Sequence, residues 1–180
     1  MVYNRIGDLK LPNYSDIQQT SRLIMHPNAE LINQFYQAFS ERRPDGMKAC
    51  YHADVVFNDP AFKNLNYQEV NAMWAMLIKR GTDLSLEFSE VQADDQTGSA
   101  RWIATYTFSK SGNKVVNDIR ANFEFKDGQI VKHTDAFHFH KWAGQALGLP
   151  GKLLGWTNFL QKKVQQNARQ QLNKYIQKHL

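Results

Sequence analysis

The sequence predicts an α+β fold: a cone-shaped, curved antiparallel sheet packed by N-terminal helices, with an added long C-terminal helix. Three observations predict it. Helical periodicity marks the first third of the chain, four strand-like runs then follow in series with short loops between them, and one long helical stripe ends the chain. Helices first and strands afterwards segregate the helices to one face of an antiparallel sheet. A strongly bent sheet covered in this way forms a cone with a pocket at its wide end.

Residues 1–27 read as an N-terminal extension. Leu11-Pro12-Asn13-Tyr14-Ser15 is turn-like, and a short helix is placed around Asp16–Met25. The first regular helix follows Pro27, with Asn28 as N-cap and Glu30 in the first turn. Leu31, Ile32, Phe35 and Phe39 give it a buried stripe. Arg43-Pro44-Asp45-Gly46 breaks it, and a short helix runs from about Met47 to Tyr51. Val55-Val56-Phe57-Asn58-Asp59-Pro60 reads as a strand stopped by proline.

A further helix spans about Tyr67–Arg80. Asn66 with Glu69 forms a capping box, and Gly81 stands where a C-terminal glycine cap belongs. Val70, Met73, Trp74, Leu77 and Ile78 form its inner face. Four strands follow, at about 83–92, 99–109, 114–126 and 129–139. They are separated by Asp94-Asp95-Gln96-Thr97-Gly98, Ser109-Lys110-Ser111-Gly112-Asn113 and Asp127-Gly128. Loops so short predict an antiparallel meander. Trp102, Ala104, Tyr106 and Phe108 share one face of the second strand, and Asn117, Ile119, Ala121, Phe123 and Phe125 one face of the third.

Residues 141–180 form a helical extension, in which Gly148-Leu149-Pro150-Gly151 separates a short helix from a long one. Leu153, Trp156, Leu160, Val164, Ala168, Leu172, Tyr175 and Ile176 recur at helical spacing. That stripe is assigned to docking on the sheet or on a second subunit in preference to a membrane. No internal repeat or low-complexity tract interrupts the chain.

A length of 180 residues allows one domain with a good core, and 42% hydrophobic with 12% aromatic residues argue against disorder. No apolar run is long enough to cross a bilayer, so no membrane partner is expected. The segment Met1–Asp8 lacks the features of a signal peptide. Cys50 is the only cysteine, so no internal disulfide can form. It reads as a small buried hydrophobe. The expectation is a soluble cytoplasmic protein.

The net charge of +5 is unevenly placed. Asp135 is the last acidic residue, and seven cations follow it: Lys141, Lys152, Lys162, Lys163, Arg169, Lys174 and Lys178. The first 135 residues hold 15 cations against 17 anions. Spread-out cations with no nucleic-acid motif read as a solvated helix face, and no nucleic-acid partner is expected.

The candidate site begins at the turn-strand Asp127-Gly128-Gln129-Ile130-Val131-Lys132-His133-Thr134-Asp135-Ala136-Phe137. Alternation places Val131, His133, Asp135 and Phe137 on one face, with His133 and Asp135 roughly 7 Å apart along the strand. A face mixing apolar, titratable and aromatic residues suits the wall of a cavity for an organic molecule. His138 and His140 share the opposite face, but further ligands are missing, so no metal and no cofactor are expected. Asp118 and Arg120 read as a solvated or subunit-facing pair.

Three segments carry a family resemblance: Phe35-Tyr36-Gln37-Ala38-Phe39, then Tyr51-His52-Ala53-Asp54-Val55-Val56-Phe57-Asn58-Asp59-Pro60, then the turn-strand ending at Asp135. Together they resemble the nuclear transport factor 2-like superfamily and, within it, the SnoaL-like polyketide cyclase group, over residues 28–140. The resemblance implies one of several activities, since this fold hosts enzymes and non-catalytic modules alike. In steroid isomerases of this fold the base is the aspartate of an Asp-Pro pair, which matches Asp59. Their oxyanion donors fall on Phe35 and Ala121, which cannot donate. The helix turns Tyr36 about 100° away from Phe35, a poor substitute. Epoxide hydrolases of the fold use Arg-x-Asp where this chain has Asp118-x-Arg120.

The SnoaL-like cyclases use a His-x-Asp arrangement, which matches His133 and Asp135. It implies cofactor-independent aldol closure, with Asp135 as acid/base, His133 as hydrogen-bond donor to substrate oxygen and Asp59 in support. Phe57, Trp74, Trp102, Tyr106, Asn117 and Phe137 are the expected binding walls. The expected ligand is a small hydrophobic or aromatic molecule, and a homodimer is expected. The alternatives are a non-catalytic ligand-binding or dimerisation module, and an interaction through the basic C-terminal helix. The catalytic reading requires Asp59, His133 and Asp135 to reach one solvent-connected cavity.

Overall fold

The structure, a computed structural model, describes residues 25–179. The extension expected over residues 1–27, with its helix around Asp16–Met25, lies almost wholly outside the described residues.

Helix α1 (Pro27–Ser40) starts two residues earlier than an Asn28 cap requires. His26 is the cap, and its Nδ1 accepts the Asn28 N–H at 3.2 Å. Pro27 occupies the first helical position, where its missing N–H costs nothing and its fixed φ suits the helix. Asn28 instead donates to the Asp94 carbonyl at 2.8 Å, tying α1 to the sheet. The helix buries Ile32, Phe35, Tyr36 and Phe39. Just past its end Arg42 takes φ 59° and sends its guanidinium to the carbonyls of Ile78 and Gly81. Helix α2 (Pro44–Ala49) uses Pro44 as its first residue, so the proline that breaks α1 starts the next helix.

Strand β1 (Tyr51–Asn58) begins four residues before the expected Val55. Helix α3 (Tyr67–Arg80) has the expected bounds, and the Asn66–Glu69 capping box is formed in both directions. Gly81 caps its end at φ −83°, so its N–H closes onto Leu77 without left-handed backbone. The meander is β2 (Ser85–Ala93), β3 (Thr97–Phe108), β4 (Asn113–Lys126) and β5 (Gln129–Ala136). These four pair antiparallel in order, and β1 adds parallel to β5, so the sheet is mixed, in the order β1-β5-β4-β3-β2. A parallel neighbour needs a long crossover, here everything from α3 to β4.

The last turn of the meander positions the site. Asp127 at φ 52° and Gly128 at φ 74° form a two-residue hairpin of the kind whose twist matches the strands. The register then slips: Phe125 faces Ile130 while Glu124 faces Lys132, which leaves Val131 unpaired as a bulge. Ile130 turns inward with His133 and Asp135, and Val131 leaves the face it was expected to share.

Strand β5 stops at Ala136 where the expected strand ran to 139. Helices α4 (Phe139–Leu147), α5 (Leu149–Leu154) and α6 (Asn158–His179) follow. His138 caps α4 and His140 lies within it, so the two do not share a strand face. The C-terminal stripe splits. Leu172 is fully buried, with Ala168, Tyr175 and Ile176 packed on the main core. Leu160 and Val164 pack on a second cluster of Val115, Trp142, Ala143 and Ala146. Leu153 and Trp156 are exposed, because Gly155 and the Thr157 cap reset the helical phase before α6 begins. Among the described residues no helix is long and apolar enough to cross a membrane.

Candidate functional site

Four of the expected site residues, Trp74, Trp102, His133 and Asp135, meet in one hydrogen-bonded network, and a fifth residue, Tyr51, not expected, joins them. His133 is completely buried. Its Nε2 lies 3.1 Å from Asp135 Oδ1, because two side chains on one strand face lean together. Its Nδ1 lies 2.7 Å from the Tyr51 hydroxyl, and that hydroxyl accepts from Trp74 Nε1 at 3.0 Å. One proton arrangement satisfies every atom: Trp74 N–H to Tyr51 oxygen, Tyr51 O–H to Nδ1, and Nε2–H to Asp135. Trp102 Nε1 also donates to Asp135 Oδ1, at 3.2 Å. Oδ2 receives no donor among the described residues.

The His133 ring is walled by aromatic rings. Phe123, Phe57, Phe35 and Trp74 have centroids 4.4, 5.1, 5.5 and 6.2 Å from it. The narrow end of the cone is therefore packed side chain to side chain, and both His133 nitrogens are already engaged. A direct contact between His133 and a ligand oxygen does not fit this arrangement.

Asp59 sits elsewhere on the same face of the problem. The β1 strand ends at Asn58, and Asp59 folds its Oδ1 back onto the N–H groups of Ala61 (2.7 Å) and Phe62. Proline at 60 and the short turn make this Asx capping possible. Burial of the carboxyl pushes its pKa up to about 7, opposed by those two N–H bonds and reinforced by the charge of Asp135. The Asp59 charge in turn reaches Tyr106, whose pKa is raised mainly by burial. The Tyr106 hydroxyl accepts from Trp142 Nε1 at 2.9 Å. Asp59, Tyr106 and Phe137 are each only half-buried, as is Asn117, which faces Ala104 across the strands. These half-buried residues are the rim of the candidate site, and α6 meets it at Pro60, whose carbonyl accepts from Gln165 at 2.9 Å.

The sequence does not mark Tyr51 as a site residue, and Tyr36 is set aside there as a poor substitute for a donor at Phe35. Tyr51 opens a strand that alternation alone does not mark. Tyr36 neighbours Phe35 on α1, and both are fully buried because α1 turns a wide face to the sheet. The Tyr36 hydroxyl has no hydrogen-bond partner, and burial, then the Asp135 charge, holds its pKa well above the usual value. The strand neighbour opposite Asp135 is Ala121, which cannot donate. The Cys50 thiol is pushed up to about 11 by burial, as fits a small core residue.

The outer face of the sheet is a different surface. Arg101 binds Asp118 through two nitrogens at 2.9 and 2.7 Å and also meets Glu90, which pairs with Arg120. A polar groove of about 650 Å³ lies beside them, lined by Gln92, Thr97, Ser99, Asn122, Lys132 and Thr134. Asn122, Lys132 and Thr134 alternate with the inward residues, so this groove does not reach Asp135. Among the described residues no cluster of three or more His, Cys, Asp or Glu could hold a metal ion.

The model of the SnoaL-like domain matches residues 32–133, more than half of the chain. No curated protein matches it. Solved structures do, with the nuclear transport factor 2/ketosteroid isomerase-like fold. A candidate polyketide cyclase from Xanthomonas campestris pv. campestris is 21% identical at a TM-score of 0.54, over 67% of this chain and 96% of that one. IdmH, a candidate polyketide cyclase from Streptomyces antibioticus, is 16% identical at 0.58, over 69% and 100%. An LEH-like epoxide hydrolase from M. tuberculosis is 17% identical at 0.55, over 71% and 96%. Identities this low speak for the fold alone.

Proposed function

We propose, for a chain that belongs to the SnoaL-like domain family, a cofactor-independent acid/base step on a hydrophobic or aromatic carbonyl compound. The observation that carries the proposal is a pair of carboxyls: Asp135 keeps Oδ2 free of donors among the described residues, and Asp59, half-buried, has its pKa raised by burial and further by the charge of Asp135. Asp135 Oδ2 is the base: it removes a proton from carbon next to the carbonyl. The enolate closes on a second carbonyl carbon, and Asp59, titrating near neutrality, gives its proton to the oxygen that gains charge. Proton passage between the two carboxyls restores both. His133 and Trp102 act as positioning residues for Asp135. The Tyr36 and Tyr106 hydroxyls, which feel the charges of Asp135 and Asp59, stand in the place of the donors missing at Phe35 and Ala121. Trp74 and Phe57 are support behind His133, and Trp102, Tyr106, Asn117 and Phe137 line the ligand. Epoxide opening is disfavoured, since Asp118 and Arg120 are tied up on the outer face.

Deuterium wash-in from heavy water into an aryl ketone such as 2-tetralone tests this. The chain should accelerate exchange next to the carbonyl, and Asp135→Asn should remove about 10²–10⁴-fold of that acceleration. A second reading is a binding module without catalysis, favoured by the sealed surroundings of His133. It gains support if exchange is not accelerated while the ketone still raises Tm in Asp135→Asn. A homodimer through the outer sheet face belongs to either reading and is tested by sedimentation velocity.

A further inference from the structure

The segment 148–159 shows a pattern opposite to that of an ordinary surface helix. Its small residues face inward and its large apolar residues face out. A side-chain carbon at Gly151 would lie 1.8 Å from the Ala143 carbonyl oxygen, so α5 rests on the backbone of α4 with no room between them. Gly155 is equally tight, 2.4 Å from the Gly151 carbonyl and 2.7 Å from His140. Leu149 and Leu153 are each about 200° of helical rotation from Gly151 and therefore project away. Leu149 is 72% exposed, Leu153 69%, Trp156 74% and Phe159 69%. The Trp156 indole is held, its Nε1 donating to the Leu153 carbonyl at 2.9 Å, so it stands beside Leu153 as part of a rigid platform. Exposed large apolar residues gathered in eleven consecutive positions differ from the scattered ones any surface carries.

The charge around the platform selects its occupant. Lys152, Lys162 and Lys163 are exposed within or just after it, and no Asp or Glu follows Asp135 anywhere in the chain. Of the seven cations after Asp135, Arg169 alone forms an ion pair among the described residues. Leucines, an indole and a phenyl ring to insert, bordered by lysines with no anion among them, match the boundary between headgroups and acyl chains of an anionic membrane. We propose that the 149–159 platform seats this chain on an anionic lipid surface. Absence of a spanning segment, the ground on which a membrane partner is not expected, does not bear on adsorption of this kind. The seat adjoins α6, which meets the rim at Pro60, so an apolar substrate dissolved in the bilayer would meet the chain beside the open end of its cone.

Cosedimentation of the full chain with vesicles tests the proposal, comparing phosphatidylcholine alone with equal parts phosphatidylcholine and phosphatidylglycerol. The chain should pellet with the anionic vesicles and not the neutral ones, and added salt should release it. Lys162→Glu/Lys163→Glu should weaken binding by more than about fivefold per lysine, since each charge is reversed rather than removed. Leu153→Ser/Trp156→Ser should abolish it with an unchanged Tm, because both side chains already lie in water. The proposal is overturned if the chain ignores both vesicles, or if neither double variant weakens binding. It is also overturned if the wild type ignores vesicles and Leu153→Ser/Trp156→Ser converts a dimer to a monomer, which would make a second copy the occupant.

Discussion

Two tryptophan–tyrosine pairs flank the two aspartates, one linked through His133 to Asp135 and the other beside Asp59, and they differ in what lies beyond the tyrosine. At the narrow end Trp74 donates to Tyr51, and Tyr51 passes the interaction on to His133 and Asp135, all of it enclosed by Phe35, Phe57 and Phe123. At the rim Trp142 donates to Tyr106, whose hydroxyl faces the half-buried region of Asp59. The first pair ends in a satisfied network. The second ends in a hydroxyl with a proton still to give. A buried polar network with every member satisfied rigidifies and specifies a structure, whereas an open one is where a ligand can take part. The difference divides labour between the two ends: the narrow end aims Asp135, and the rim meets the substrate.

The largest effect that sharpens this comparison comes from loosening the helix that meets the rim. Leu172 is the fully buried anchor of α6. Leu172→Ala should cost about 2–5 kcal/mol in urea unfolding. It should also raise the rate at which tetranitromethane nitrates Tyr106 while leaving Tyr51 unreactive. Equal exposure of both tyrosines would mean that the narrow end is not sealed independently of α6.

Next in size are the two tyrosines themselves. Tyr51→Phe strands two buried groups, His133 Nδ1 and Trp74 Nε1, each at about 1–3 kcal/mol. Tyr106→Phe strands one group, the N–H of Trp142 in a part-buried bond, and should cost about half as much. In the exchange assay the order reverses, with Tyr106→Phe slowing the reaction directly and Tyr51→Phe acting through the aim of Asp135. Stability losses of the same size in both variants would break the distinction.

The asymmetry also explains how far the sequence could be read. Helix α3 is legible in its bounds and caps, because Asn66, Glu69 and Gly81 act locally and each makes the bond its position implies, whereas Leu77, expected on the inner face, is exposed. The His133–Asp135 pair was legible because alternation holds from one residue to the next but one. Val131 was not: a bulge answers to the partner strand, and Phe125 selects Ile130 from across the sheet. The sequence extends the strand past Ala136 because Phe137 and Phe139 keep the period of two, although Phe139 already begins α4. Tyr51 was invisible as a site residue since its partners are 23 and 82 positions away. The unpartnered Tyr36 hydroxyl depends on what the sheet omits to offer it, and no pattern in α1 encodes an omission.

The smallest effect concerns pH and the Asp59 side of the rim. A carboxyl whose folded pKa is raised holds its proton more firmly in the folded chain than in the unfolded one. Its contribution is fully present below the ordinary carboxylate range and is lost as pH rises through about 7, the folded value of Asp59. The chain should therefore lose stability from about pH 4 to pH 7 and then level off. Asp59→Asn keeps the oxygen that accepts from Ala61 and Phe62 and carries no charge, so it should flatten this slope and be the more stable form at pH 8. Because Asp59 is half-buried, water screens much of the penalty, and the gain should be smaller than the loss in Tyr51→Phe. Urea titrations of both forms at pH 5 and pH 8 measure it. If wild type and Asp59→Asn keep the same slope, Asp59 is ionised throughout, and the proton that the rim is to deliver must come from Tyr106 or Tyr36 instead.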